Sequence, residues 1–411
     1  MTDILLLAWK NLWRNRRRTL ITLSALSFSL MLVQAFHNLS YGVYSAMIDS
    51  GVRAGTGHLV IYQRDYVDRR DEKYSFVPQQ LVEQIAALEG VEAVLPRIYL
   101  PGLAQSSRES RGVLLTGVLP QAEQRINPFL KELPPDQRLP TLQGREAILG
   151  SRLLKELQLK PGNKFVVTLQ GRSGDLVSEM FRVRGVVTTG IKNIDRSLLL
   201  VGRERAATLA GIPGEIHELA VVLKQQQADR TVYPALQQLL AGRPQLRLLS
   251  WEEAMPNLSN AIKLDYASQK FIFIIMLLIV TIGVINTLLM SVMERFREFG
   301  VILAVGADAG CLRTLVFLEA LLLGLVAMVL GSLFGSLATW YLQAVGIDLR
   351  DFLDESLEFG GVVFDPIMRA SWDYPYMLQI AGFMLLLSLV AAIYPAIKAG
   401  RISPAEALRH H

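Results

Sequence analysis

One cysteine, Cys311, and five histidines scattered at 37, 58, 217, 410 and 411 are all the thiol and imidazole chemistry in this 411-residue chain. A single thiol excludes an internal disulfide framework and a multi-cysteine metal site. Histidines so far apart give no ligand spacing, so no metal site is expected. The phosphate-cradling pattern G-x-x-x-x-G-K-[ST] does not occur, nor do H-E-x-x-H, G-x-S-x-G or G-x-G-x-x-G. The glycine-rich stretch at 51–57 lacks the lysine that would make it a phosphate loop. The chain is therefore not expected to be an enzyme or to hold a cofactor of its own. Charge is scarce too: 19% of residues are charged against 51% hydrophobic, and mean hydropathy is +0.32. That balance argues against both an ordinary soluble enzyme and disorder. The net charge of +5 is modest, and what matters is where the charges sit.

Four apolar runs stand out. Thr19 to about Phe36 and Phe271 to Met293 contain no charge. A third extends from near Cys311 to about Val345, with Arg313 and Glu319 in its first turns, and a fourth from Tyr376 to about Ile393, ended by Pro395. About 20 residues at 1.5 Å each cross the hydrocarbon layer, so each run is expected to span a membrane. The third is longer than needed and is expected to tilt or protrude. So few ionisable groups at depth leave no proton or ion relay. In the third run, Gly331 and Gly335, with Gly324 earlier, either admit a neighbouring helix closely or reflect ordinary glycine usage in membrane helices.

Lys and Arg near the membrane ends set the orientation. Lys10, Arg14, Arg16, Arg17 and Arg18 precede the first run; Arg295, Arg297 and Arg313 lie between the second and third; Lys398, Arg401 and Arg409 follow the fourth. The connector between the third and fourth is acidic. Both termini and the 294–312 loop are thus expected to be cytoplasmic, with the large 48–265 segment and the 347–374 loop outside. Ile4, Leu5, Ala8, Trp9 and Leu12 form an apolar stripe at helical spacing, as in a short helix lying on the inner leaflet.

The expected fold is an α-helical membrane protein with four transmembrane helices and a large α+β extracytoplasmic domain. The order is an interfacial helix at 1–18, spans at 19–47, 266–293, 313–346 and 375–398, a coupling segment at 294–312 and a tail at 399–411. In the outer domain, strands at 57–62 and 91–99 flank a helix at 78–88, and strands at 218–223 and 246–251 flank a helix at 229–241, with Asp229 as its N-cap. Two such β-α-β units predict a ferredoxin-like core with a mainly β insertion at about 100–216. Within the insertion, hairpins are expected across 106–111 and around 171–174, a short helix at 153–157 and a proline-rich loop at 127–142. The charge-dense stretch 63–73 reads as a solvated loop.

The most specific stretch follows the second run: Met293–Glu–Arg–Phe–Arg–Glu–Phe–Gly–Val–Ile–Leu–Ala–Val–Gly–Ala307. Physically it is a short amphipathic element between two spans, with Gly300 and Gly306 permitting sharp exits. Its E-R-x-R-E-x-G-x-x-x-A-x-G-A pattern resembles the coupling segment of FtsX-like and MacB-like ABC permeases. The tail from Tyr394 to Arg409 and the opening from Ala8 to Thr19 are similar to theirs. Within that group, 144–154, 159–162 and 181–187 look most like the lipoprotein-releasing LolC/LolE permeases.

That resemblance implies a bacterial inner-membrane permease subunit that extracts lipoproteins from the outer leaflet. The expected partners are a cytoplasmic ABC ATPase dimer, which would carry ATP and magnesium, and a second permease, identical or paralogous. Membrane lipids, and a periplasmic chaperone or adaptor, complete the set; nucleic acid does not belong to it. The hairpin at 169–177 that corresponds to a chaperone-recruiting hook is short and has no proline, which leaves a hookless subunit open. Glu294, Arg295, Arg297, Glu298, Gly300, Gly306 and Ala307 would dock the ATPase. Phe28, Leu32, Phe36, Phe271, Phe273 and Ile274 are candidates for an apolar wall against cargo. A MacB-like exporter of periplasmic drugs or peptides and an FtsX-like transmembrane signalling protein are the rival expectations.

Overall fold

The computed structural model describes residues 2–78, 80–225, 228–350, 358–359, 362–363 and 367–403. Much of the 347–374 loop and the tail beyond 403 lie outside the described residues. The chain forms two compact units. One comprises Met1–Tyr44, Leu264–Asp351 and Ile367–His411; the other comprises Ser45–Lys263 and Phe352–Pro366.

The first unit is helical. A leading helix, Thr2–Arg14, precedes four helices long and apolar enough to cross a membrane: Arg16–Ala54, Pro256–Glu294, Ala309–Ala344 and Tyr374–Ala399, the first to fourth spans. Leu26, Leu30, Leu277, Val284, Ala320, Leu323, Ile380 and Met384 interlock at their centre. The helix of the first span runs well beyond Phe36, where hydropathy falls. The polar residues that end the apolar run are themselves satisfied between helices: Asn38 is fully buried and donates to Thr339 Oγ1 at 3.0 Å. The apolar run gives out near Ile393, but its helix does not end at Pro395: it continues to Ala399 with Pro395 inside it and buried.

The second unit is built on nine strands: β1 (Leu59–Gln63), β2 (Val91–Gln105), β3 (Ser110–Val118), β4 (Glu146–Gly150), β5 (Lys164–Gln170), β6 (Leu176–Val187), β7 (Leu198–Gly202), β8 (Glu218–Leu223) and β9 (Leu246–Ser250). The neighbours β9-β1-β8-β2 are all antiparallel, the ferredoxin-like order, with helices Leu81–Ala86 and Asp229–Leu240 on the two crossovers. The far half of β2 leaves this sheet and pairs with β3 on one side and β5 on the other. Because β3-β7-β4-β6-β5 are also neighbours, the insertion closes into a six-stranded barrel through β2. Closure removes sheet edges. Ile98, Leu100, Leu115, Leu149, Phe165, Phe181 and Leu199 fill the interior.

Four expectations need correction. The strand expected at 91–99 does not stop there but runs on to Gln105 as one strand. At Gly102, β5 passes close: a Cβ there would lie 2.8 Å from the Thr168 carbonyl oxygen. The stretch 63–73 is not a plain loop. The Gln63 side chain accepts from the backbone N–H groups of Asp65 and Tyr66 and starts a helix, Arg64–Arg69. Tyr66 is buried, and the Arg70 guanidinium lies 5.0 Å and 5.4 Å from the ring centres of Tyr62 and Tyr66. Asp229 is the first helical residue, not the N-cap, which is Ala228. The 127–142 loop contains a short helix at Pro128–Lys131, capped by Asn127. β4 and β7 were not anticipated, because EAILG and LLLVG are brief apolar runs without alternation.

Candidate coupling site

The helix of the second span stops at Glu294 because Arg295 leaves helical geometry, at φ −105° and ψ 15°. A nine-residue helix follows, Phe296–Ala304, the candidate coupling helix. It ends at Gly306, whose φ of +102° is a conformation that L side chains rarely adopt. Asp308 then caps the third span by accepting from the Gly310 N–H at 2.9 Å.

The coupling helix has two distinct faces. Phe299 and Gly300 are buried. Phe299 packs in one cluster with Ala8 of the leading helix, Leu312, Leu315 and Val316 of the third span, and Ala396 and Ala399 of the fourth. Arg297, Val301, Ala304 and Val305 are exposed, Val305 by 85%. Arg295, expected among the docking residues, is only 7% exposed. It points inward, donating to Glu319 Oε1 at 2.6 Å and lying over the Phe299 ring at 4.6 Å. Glu319, also buried, accepts from Asn11 Nδ2 at 2.9 Å.

The rim is ionic as well. Arg18 meets Glu294 at 2.7 Å and Arg14 meets Glu298 at 2.6 Å. Partial burial opposes ionisation of Glu298, but Arg14 and then Arg295 outweigh it and hold the carboxyl below its ordinary value. Of the seven docking candidates, Glu294, Arg297 and Gly306 are exposed, Glu298 and Ala307 are half-buried, and Arg295 and Gly300 face the interior. Sequence reading missed Asn11 and Glu319 as members. The available signal was a carboxylate within an apolar run, which must find a partner. Val301 and Val305, apolar one turn apart on the exposed face, were a second signal.

Elsewhere, Phe28, Leu32, Phe36, Phe271 and Ile274 are exposed, between 44% and 66%, while Phe273 packs partly against the core between the spans. Gly324, Gly331 and Gly335 are buried against other helices: Gly324 against Ser388, Gly331 against Leu30, and Gly335 against Gln34.

The outer domain holds a cavity of about 330 Å³, walled by Leu114, Val118, Phe129, Val187, Ile194 and Leu200 among others. Arg97, Tyr99 and Glu123 form its polar end. Arg97 is buried between Glu123 and Glu218 and also donates to the Gly55 carbonyl. Burial opposes its charge, yet the two carboxylates keep its pKa well above the ordinary arginine value. Burial raises Glu218, against the pull of Arg97 and of hydrogen bonds from Tyr62 and Tyr99.

Comparison with known proteins places these features. Residues 19–239, more than half of the chain, match the MacB-like periplasmic core domain, and residues 270–404 match the FtsX-like permease C-terminal region. The lipoprotein-releasing system transmembrane protein LolC of Neisseria meningitidis is 26% identical over 357 residues, covering 84% of this chain and 83% of that protein. LolE of Haemophilus influenzae is 20% identical, covering 81% of each. The macrolide export ATP-binding/permease protein MacB of Nitrosomonas europaea is 23% identical over 81% of this chain and 52% of its own length. With four candidate spans, a sheet-rich outer domain and these family matches, the chain belongs to the MacB-like, FtsX-like family of ABC transporter permeases.

Proposed function

We propose that the chain is the permease subunit of a mechanotransmitting ABC transporter that extracts lipoproteins from the outer leaflet of the bacterial inner membrane, using ATP hydrolysed by a separate subunit. The observation that carries the reading is the two-faced coupling helix. Its inner face is tied to the spans, and its outer face presents Arg297, Val301 and Val305 to solvent. Such a patch suits a groove on a cytoplasmic ATPase, which would bind ATP and magnesium. In this reading both termini are cytoplasmic, the outer domain is periplasmic, and a second permease completes the assembly. Cargo acyl chains would lie against Phe28, Leu32, Phe36, Phe271 and Ile274. Likeness to LolC and LolE over some four-fifths of the chain supports lipoprotein cargo.

Isolation in mild detergent tests the reading. The chain should bring an ABC ATPase with it, and Val301→Lys, on the exposed face of the helix, should abolish ATP-driven lipoprotein release from membranes while the chain still inserts. Unchanged release in that variant rejects the docking role. MacB-like export of small apolar molecules is the second reading, favoured by the cavity in the outer domain, whose size lies at the lower end of ligand sites. Deleting the gene should then sensitise cells to apolar drugs and leave lipoprotein sorting intact.

A further inference from the structure

The coupling helix is flanked by two backbone breaks. Arg295 interrupts the helix on the side of the second span, and Gly306 turns the chain sharply before the third. A helix joined through bends at both ends passes little movement along its covalent connections. Its movement is delivered through side-chain contacts, and those contacts are concentrated. Glu319 Oε1 of the third span receives Arg295 at 2.6 Å and Asn11 of the leading helix at 2.9 Å. Phe299 lies beneath, against Leu312 and Leu315. Arg295 also reaches Glu298 at 3.4 Å, so the exposed rim and the buried pair share one guanidinium.

From this geometry we infer that the buried Arg295–Glu319 pair, steadied by Asn11, is the junction through which movement of the coupling helix reaches the third span and the leading helix. Arg295 is then a positioning residue that faces the membrane helices, not a contact for the partner. The leading helix is part of the moving assembly rather than a passive anchor. This inference rests on the permease reading for the source of the movement, but the pair's hold on the helix does not depend on it.

Hydrogen exchange of the full-length chain in lipid nanodiscs tests the hold. Glu319→Ala or Arg295→Ala should speed exchange of amides 296–304 by about tenfold or more, because a buried charge loses its partner and the segment opens locally. Exchange in 277–288 of the second span, part of the same helical unit, should stay unchanged, which shows that the variant has folded. The swap Arg295→Glu with Glu319→Arg should restore protection. Unaltered exchange in the single variants overturns the inference.

The transmitting role is read on the complex with its co-isolated ATPase. In the parent complex, vanadate-trapped nucleotide should change exchange in both 296–304 and 309–320. In Glu319→Ala only the first segment should respond while ATP hydrolysis continues. A response of both segments in that variant refutes transmission through the pair. If the coupling helix of the parent complex ignores trapped nucleotide, the ATPase reading falls and transmission with it, while the first experiment still decides the hold.

Discussion

Gly331 lies against Leu30 so closely that a methyl group on its α-carbon would come 2.8 Å from the Leu30 Cβ and 3.0 Å from the Ser27 carbonyl oxygen. One turn on, a methyl group at Gly335 would run into the Gln34 side-chain amide oxygen. The two glycines let the first and third spans approach closely, so that Ser27, Gln34 and Asn38 form hydrogen bonds to the third span. Gly331→Leu should therefore destabilise the helical unit by about 1–3 kcal/mol through overpacking. Gly283→Ala, where nothing lies within 4 Å, should be silent. Thermal loss of the folded species in detergent measures both, and equal midpoints for the two variants would refute the packing role.

In the outer domain, one guanidinium serves two buried carboxylates. Arg97→Met leaves Glu123 and Glu218 without a cation and should cost about 3–5 kcal/mol, whereas removing an exposed partner such as Arg14 should cost about 1 kcal/mol or less. Denaturant unfolding followed by tryptophan fluorescence compares them. Similar losses for the two variants would show that the buried cluster is not held by its charge balance.

His58 makes the outer domain acid-sensitive. Its ring is buried and accepts the Leu223 N–H at Nδ1, and burial lowers its pKa to about 4. A base depressed in the folded state is protonated more readily once unfolded. Its contribution is therefore intact above the unfolded value of about 6.5 and is lost as pH falls towards 4, by up to about 3 kcal/mol. His58→Gln should flatten the fall in melting temperature between those limits. A slope matching the parent's would assign the sensitivity elsewhere.

Cys311 reports on orientation. It is the sole thiol of the chain and is partly exposed at the start of the third span. A membrane-impermeant maleimide should fail to label it in intact cells and should label it once the inner membrane is opened. Labelling of intact spheroplasts would reverse the proposed topology.

How much was legible beforehand depended on distance along the chain. The four spans follow from long runs of adjacent apolar residues, and the ferredoxin-like halves follow from strand-length apolar runs, such as those of β1 and β8, placed on either side of helical stretches. The amphipathic 294–307 segment was visible as a motif, but the side of the helix on which each charge lies was not. Arg295 and Arg297 are two residues apart and look equivalent in sequence, yet one is buried and the other exposed. Arg295 is drawn inward by Glu319, in the next helix, where no local pattern marks it as a partner. The closed barrel was hidden for the same reason, since it needs β2 to pair with both β3 and β5.

Hydropathy and periodicity are sums over neighbouring residues, so the sequence by itself determined the spans, the outer α+β domain and the amphipathic segment between two spans. Only tertiary structure decided the convergence of Asn11, Arg295 and Glu319, the barrel closure and the glycine contacts between helices. Each of those depends on groups brought together from different elements of the chain, where burial requires that a charge or a bare α-carbon meet one particular partner.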